Sequence, residues 1–200
     1  MEYNPKTHRR RSIRLKGYDY SHPGMYYATL CVGKRLTLFG EVIDNVVRLS
    51  AIGEVVRGCW EEIPKHFPNV KLDRYIVMPN HLHGILVLRE NALDLVGVEY
   101  IQPRLGQKKS QFQHVVPRSL GSIIRAFKAA VTRICRQNGH TGFEWQRDYY
   151  DHVIRDGHDL DRIRRYIIDN PANWANDQNF PGNIRMDKMH WGQEDWSALD

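Results

Sequence analysis

The sequence predicts an α+β fold, a ferredoxin-like sandwich in which an antiparallel sheet carries helices mainly on one face. Three observations predict it. Short runs rich in aromatic and β-branched residues read as strands, and three longer stretches carry apolar residues at helical spacing. Their order along the chain is strand, hairpin, helix, two strands, helix, strand, helix. No internal repeat and no composition shift divides the 200 residues, a length that suits one domain with a sizeable core.

Taken in order, "GMYYATLCV" (24–32) has the composition of a strand, and "LFGEVIDNVVRLS" (38–50) reads as a hairpin turning at Asp44-Asn45. In "SAIGEVVRGCWEEIPKHFP" (50–68), Ser50 is a plausible N-cap. Ile52, Val55, Val56, Cys59, Trp60 and Ile63 then recur at helical spacing. "VKLDRYIVMPNHLHGILVL" (70–88) reads as two strands hinged at Pro79-Asn80. Residues 89–117 are polar and aperiodic, a loop of a length that usually serves a function. "SLGSIIRAFKAAVTRICRQNG" (119–139) is an amphipathic helix that Gly139 can close. "WQRDYYDHVIRD" (145–156) is a further strand, and "DLDRIRRYIIDNP" (159–171) a helix ended by Pro171. The expected organisation is a basic arm over 1–20, one domain over 21–173 and an irregular tail over 174–200.

Composition narrows the function classes. The chain is 42% hydrophobic and 26% charged, with no apolar run long enough to span a bilayer and no apolar core in its first twenty residues for secretion. Cys31, Cys59 and Cys135 are odd in number and widely spaced, which fits reduced thiols in a cytoplasmic protein. Lys and Arg exceed Asp and Glu by 29 to 23, and Arg9, Arg10, Arg11, Arg14 and Lys16 gather part of that excess in one arm. Such a cluster suits a polyanion, nucleic acid above all; a merely solvated tail accounts for it equally well.

Two places carry chemistry. His81 and His83, two apart in a strand, project from one face, about 7 Å from each other, so their ring nitrogens can converge on one ion. Two imidazoles are too few for a closed metal site, so further ligands must come from elsewhere. On the last helix, Tyr166 and Asn170 lie one turn apart on one face. The Asn170 carbonyl oxygen can ligate a hard cation, and the Tyr166 phenol can act as a nucleophile once a nearby cation favours the phenolate. Tyr149 and Tyr150 compete for that role, but neither has a ligand residue one helical turn away.

"VMPNHLHGILVL" together with "WQRDYYDHVIRDGHDLDRIRRYIIDNP" closely resembles the REP-associated tyrosine transposases, members of the single-tyrosine HUH nuclease superfamily. The arm "RRRSIRLKGYDYSHPGMYYATLCV" and the helix "LGSIIRAFK" are similar to the same family, so the resemblance spans roughly residues 9 to 173. It implies the HUH nuclease fold, with His81, His83 and Asn170 as metal ligands, Tyr166 as nucleophile, and Mg²⁺ or Mn²⁺ as the ion. It further implies an endonuclease and strand transferase acting on single-stranded or hairpin (REP-like) DNA through a 5′-phosphotyrosine. Neither a nucleotide cofactor nor a membrane would be involved, and the protein would act at the bacterial nucleoid. Arg9, Arg10, Arg11, Arg14 and Lys16 would contact DNA, as would Arg125 and Lys128 on the long helix. Monomer and homodimer both remain open. The alternatives are a non-catalytic regulator that binds hairpin DNA, and a hydrolase in which His81 and His83 hold Zn²⁺ and water attacks.

Overall fold

A computed structural model describes residues 18–90 and 116–183. The arm residues Arg9, Arg10, Arg11, Arg14 and Lys16, nearly all of the 89–117 loop and the tail after 183 lie outside those residues. The described strands and α-helices are β1 (Gly24–Cys31), β2 (Gly40–Ile43), β3 (Val46–Leu49), α1 (Ala51–Glu61), α2 (Ile63–His66), β4 (Val70–Met78), β5 (His81–Leu88), α3 (Leu120–Gln137), β6 (Tyr150–Ile154) and α4 (Gly157–Asp169).

Four of the strands form one antiparallel sheet in the order β4-β5-β1-β6, and β2 and β3 pair separately. The β2–β3 turn is the expected one: Asp44 and Asn45 both adopt positive φ, 51° and 62°, the conformation of a two-residue hairpin loop. Along β1 and β5 the register runs unbroken from Gly24 opposite Leu88 to Cys31 opposite His81. Both histidines therefore sit on an inner strand, which explains their apolar flanks.

Side-chain alternation separates two cores. Tyr26, Ala28 and Leu30 of β1, with Leu82 and Leu86 of β5, pack on Ile52, Val56 and Trp60 of α1 and on Ile123, Phe127 and Val131 of α3. The opposite face carries Tyr27, Ile85 and Ile154, which α4 covers with Ile163 and Ile167. So α1 and α3 share the expected face, and α4 lies on the other. His81 and His83 have the parity of Ile85 and face α4. Gly84, between them and Ile85, has no room for a side chain, since a Cβ there would stand 2.3 Å from Trp60 Cζ2.

The α4 helix is fixed at its start and along its length. Asp156 caps it by accepting from the Asp159 amide at 2.8 Å, so it begins two residues before the expected start. Arg164 grips Asp73 of β4 with two N–H groups, at 2.9 and 2.7 Å. Asp73 sits in the register irregularity between Leu72 and Tyr75. Bidentate geometry of this kind fixes orientation as well as distance.

Two further departures from expectation have local causes. The 50–68 stretch forms two helices, because Pro64 has no N–H for the Trp60 carbonyl and its ring crowds the preceding turn. Only 150–154 of the expected 145–156 strand is strand. The Lys128 ammonium takes the Gln146 and Asp148 carbonyls, at 2.8 and 3.1 Å, away from any ladder. Cys31, Cys59 and Cys135 are all free thiols, and no described helix is long and apolar enough to cross a membrane.

Candidate active site

Both imidazoles are fully buried, and their Nε2 atoms stand 2.9 Å apart. Each is held from behind. Asn80 donates through Nδ2 to the carbonyls of Arg35 (3.1 Å) and Asn179 (2.7 Å), so its Oδ1 is the atom that meets His81 Nδ1 at 2.8 Å. An amide oxygen only accepts, so the proton of His81 is held on Nδ1 and its Nε2 keeps a lone pair directed into the site.

The backing of His83 is of a different kind. Its Nδ1 lies 2.6 Å from the Tyr27 hydroxyl and 2.9 Å from the Thr29 hydroxyl, and Thr29 also donates to Tyr27 at 3.1 Å. Hydroxyls both donate and accept. With His83 Nε2 as donor across the 2.9 Å gap, Thr29 donates to Tyr27 and Tyr27 donates to Nδ1. With Nε2 given to a cation, Nδ1 carries the proton and they accept it. The Tyr27–Thr29 pair thus serves either tautomer.

Electrostatics keep both rings neutral. Burial first, and the Arg35 guanidinium second, push the His81 imidazole down to about 3. Burial and then His81 hold His83 well below the ordinary range, against the pull of the Asp177 carboxylate. Neutral imidazoles are the form that binds metals.

The third member of the cluster is Asp177, whose carboxylate lies within 4.8 Å of the ring nitrogens of both His81 and His83. It is buried, accepts from the Asn179 amide at 2.5 Å and from Asn170 Nδ2 at 3.1 Å. Asn170, expected to be a ligand, reaches the cluster through Asp177. Its Oδ1 is buried with no hydrogen-bond partner among the described residues. The residues present fit a divalent cation. Two nitrogens about 2.0–2.1 Å from one ion and at right angles stand about 2.9 Å apart, the spacing found here. The Asp177 carboxylate adds an oxygen donor to the two imidazoles.

Tyr166, half-buried on α4, stands edge-on to His83 with ring centroids 5.2 Å apart and to Tyr27 at 6.5 Å. Of its competitors, Tyr149 packs in the larger core on the other face. Tyr150 lies on the α4 face, 6.2 Å from Tyr27. Trp174 closes the site from the side of His81, at 5.9 Å between centroids. The structure thus brings His81, His83, Tyr166 and Asn170 into one neighbourhood. Arg125 and Lys128 lie on α3, across the sheet from α4; Arg125 is exposed, and Lys128 is bonded to the two carbonyls already described.

Asp177, Asn80, Tyr27 and Thr29 complete the site and were not singled out by the sequence. For Tyr27 and Thr29 a signal existed, since they share with the histidines the two-residue spacing that places side chains on one face. Asp177 has none, because it follows Pro171 in a stretch without periodicity.

No family profile matches the chain. An uncharacterized protein of Haemophilus influenzae (strain Rd) is 41% identical over 177 residues, covering 88% of this chain and 96% of that protein. A second protein of the same organism, provisionally named a REP-associated tyrosine transposase, is 24% identical over 154 residues, 77% of this chain and 73% of its own length. Among solved structures, a REP-associated tyrosine transposase bound to a REP hairpin superposes with a TM-score of 0.53 at 19% identity, over 80% of this chain and 74% of that one. At that identity the likeness is one of fold.

Proposed function

We propose that the chain, which is similar to REP-associated tyrosine transposases, is a metal-dependent transposase that cleaves and rejoins single-stranded or hairpin DNA through Tyr166. One observation carries the reading. The phenol on α4 stands beside the same imidazole that, with His81 and Asp177, forms the buried donor cluster.

His81, His83 and Asp177, with Asn170 beside them, would hold Mg²⁺ or Mn²⁺. When bound, the ion neutralises charge on a phosphoryl oxygen. The chain's own residues do the rest. The Tyr166 oxygen attacks phosphorus in line with the 3′-oxygen, the O–P bond forms and the P–O3′ bond breaks. The phenolic proton is lost, the departing 3′-oxygen takes one up, and a 5′-phosphotyrosine remains. Since one phosphodiester has replaced another, an incoming 3′-OH reverses the step and joins strands without a nucleotide cofactor. Packing against His83 and Tyr27 holds the ring, and the Arg164–Asp73 fork holds its helix. Arg9, Arg10, Arg11, Arg14, Lys16 and Arg125 are proposed as phosphate contacts. Lys128, with its ammonium committed to two carbonyls, is assigned instead to shaping the 145–148 segment.

The donor set of two imidazoles and one carboxylate is also one that Zn²⁺ takes in hydrolases where water attacks. Incubation of a labelled hairpin oligonucleotide with Mn²⁺, comparing wild type with Tyr166→Phe on a denaturing gel, separates the readings. A protein–DNA adduct that vanishes in the variant is the expected result. Cleavage that persists in the variant would establish attack by water. Hairpin binding with no cleavage by wild type would make the protein a DNA-binding regulator.

A further inference from the structure

We propose that the groove between α3 and residues 145–147 is a second DNA-contact surface, which grips the sugar-phosphate backbone of a duplex stem next to the scissile strand. The inference rests on the transposase reading and adds a surface to it. The groove is lined by Lys128, Arg133, Arg136 and Arg147, with Trp145 and Gln146 at its floor, and no acidic side chain lines it.

Several observations converge on a polyanion. The 18 residues of α3 include Arg125, Lys128, Arg133 and Arg136 and no Asp or Glu. A merely solvated helix face carries both signs. Arg133, Arg136 and Arg147 are exposed and make no ion pair with any described residue. Arginine at the end of a helix also meets the helix dipole, but Arg147 is on a separate segment and that account leaves it out.

Shape agrees with charge. Arg125, Ala129, Thr132 and Arg136 are spaced 4, 3 and 4 residues apart and so form one row about 16 Å long. The small Ala129 and Thr132 leave that row open to a backbone. Lys128 fixes the opposite wall through the Gln146 and Asp148 carbonyls.

Position ties the groove to the active site. The Gln146 amide donates to the Cys31 carbonyl at 2.8 Å, and Cys31 is the register partner of His81. Two interstrand steps, about 10 Å in all, therefore separate the groove's floor from the metal-ligating strand at the same end of the sheet. A strand cleaved on the α4 face and a stem seated on the α3 face belong to one DNA molecule bent around that end.

The test is fluorescence anisotropy with a labelled hairpin bearing a single-stranded extension, at several salt concentrations. It compares wild type, Arg133→Gln/Arg136→Gln/Arg147→Gln and a control that removes equal charge elsewhere, Arg48→Gln/Lys71→Gln/Arg89→Gln. Each lost phosphate contact lowers the salt slope by about 0.9, so the groove variant is expected to bind at least tenfold more weakly with a slope reduced by roughly 2 to 3. A stemless oligonucleotide of the same extension should bind both variants alike. Equal hairpin affinity and slope in wild type and the groove variant, or an equal loss in the control, overturns the proposal. A loss confined to the groove variant upholds it whether or not Tyr166 yields an adduct, so the two readings fail separately.

Discussion

Tyr27→Phe removes a hydroxyl from a place where water cannot replace it, since Tyr27, Thr29 and His83 are all buried. With Tyr27 gone, His83 Nδ1 still has the Thr29 hydroxyl at 2.9 Å. The loss is then that of one buried hydrogen bond, about 0.5–1.5 kcal/mol of stability. Thr29→Val alone leaves the 2.6 Å bond to Tyr27 and costs about the same. The double variant is different in kind, because Nδ1 is left buried with no partner and the full desolvation penalty of about 1–3 kcal/mol is added. The two changes should therefore be non-additive by about 1 kcal/mol. Metal affinity should follow the same pattern, since partners of a ligating histidine are worth about 10- to 100-fold: no more than about threefold for either single variant, which keeps one partner, and near a hundredfold for the double, well beyond the product of the two. Urea unfolding under chelator gives the first set of values, and calorimetric titration with Mn²⁺ the second. Strict additivity in both, or Mn²⁺ binding in the double variant equal to wild type, would refute the role given to the hydroxyl pair.

Other outcomes follow from the same geometry. Asp177→Asn replaces the cluster's carboxylate by an amide whose NH₂ would compete with Asn170 Nδ2, and Mn²⁺ affinity should fall at least about tenfold, read by the same titration; unchanged affinity would remove Asp177 from the site. Gly84→Ala drives a methyl into Trp60. The overpacking should cost about 1–3 kcal/mol and lower Tm by roughly 2–12 °C in calorimetry, and an unshifted Tm would show that Trp60 yields freely. For pH, the folded values of His81 and His83 lie below the ordinary 6.5, with His81 near 3, so the unfolded chain takes up protons first on acidification. Stability of the metal-free protein should hold above pH 6.5 and fall as the pH drops from 6.5 towards about 3, the folded value of His81. His81→Gln/His83→Gln should flatten that decline, and an equal decline in the variant would locate it elsewhere.

What could be read from the sequence was whatever regular geometry dictates. The HxH pair followed from strand alternation, the Tyr166–Asn170 pair from the helical turn, and the Asp44-Asn45 hairpin from tolerance of positive φ. Residues placed by non-periodic chain were hidden. Asp177 and Asn179 come after Pro171, where only the fold's return to Asn80 and Arg35 gives them a location. Lys128 shows a related effect. Its position on the amphipathic helix was right, but its two carbonyl partners belong to a segment that reads as strand and is not one.

That return of the chain governs when the molecule becomes competent. Both imidazoles are in place once β5 has formed, yet the carboxylate that joins them follows 94 positions after His83. A chain growing from its N-terminus thus carries an incomplete donor set until α4 and the segment beyond it can fold back onto Asn80. On the reading proposed here, the capacity to cut a DNA strand waits for residue 177 to be synthesised. An unfinished or truncated chain holds its histidines without the group that would arm them.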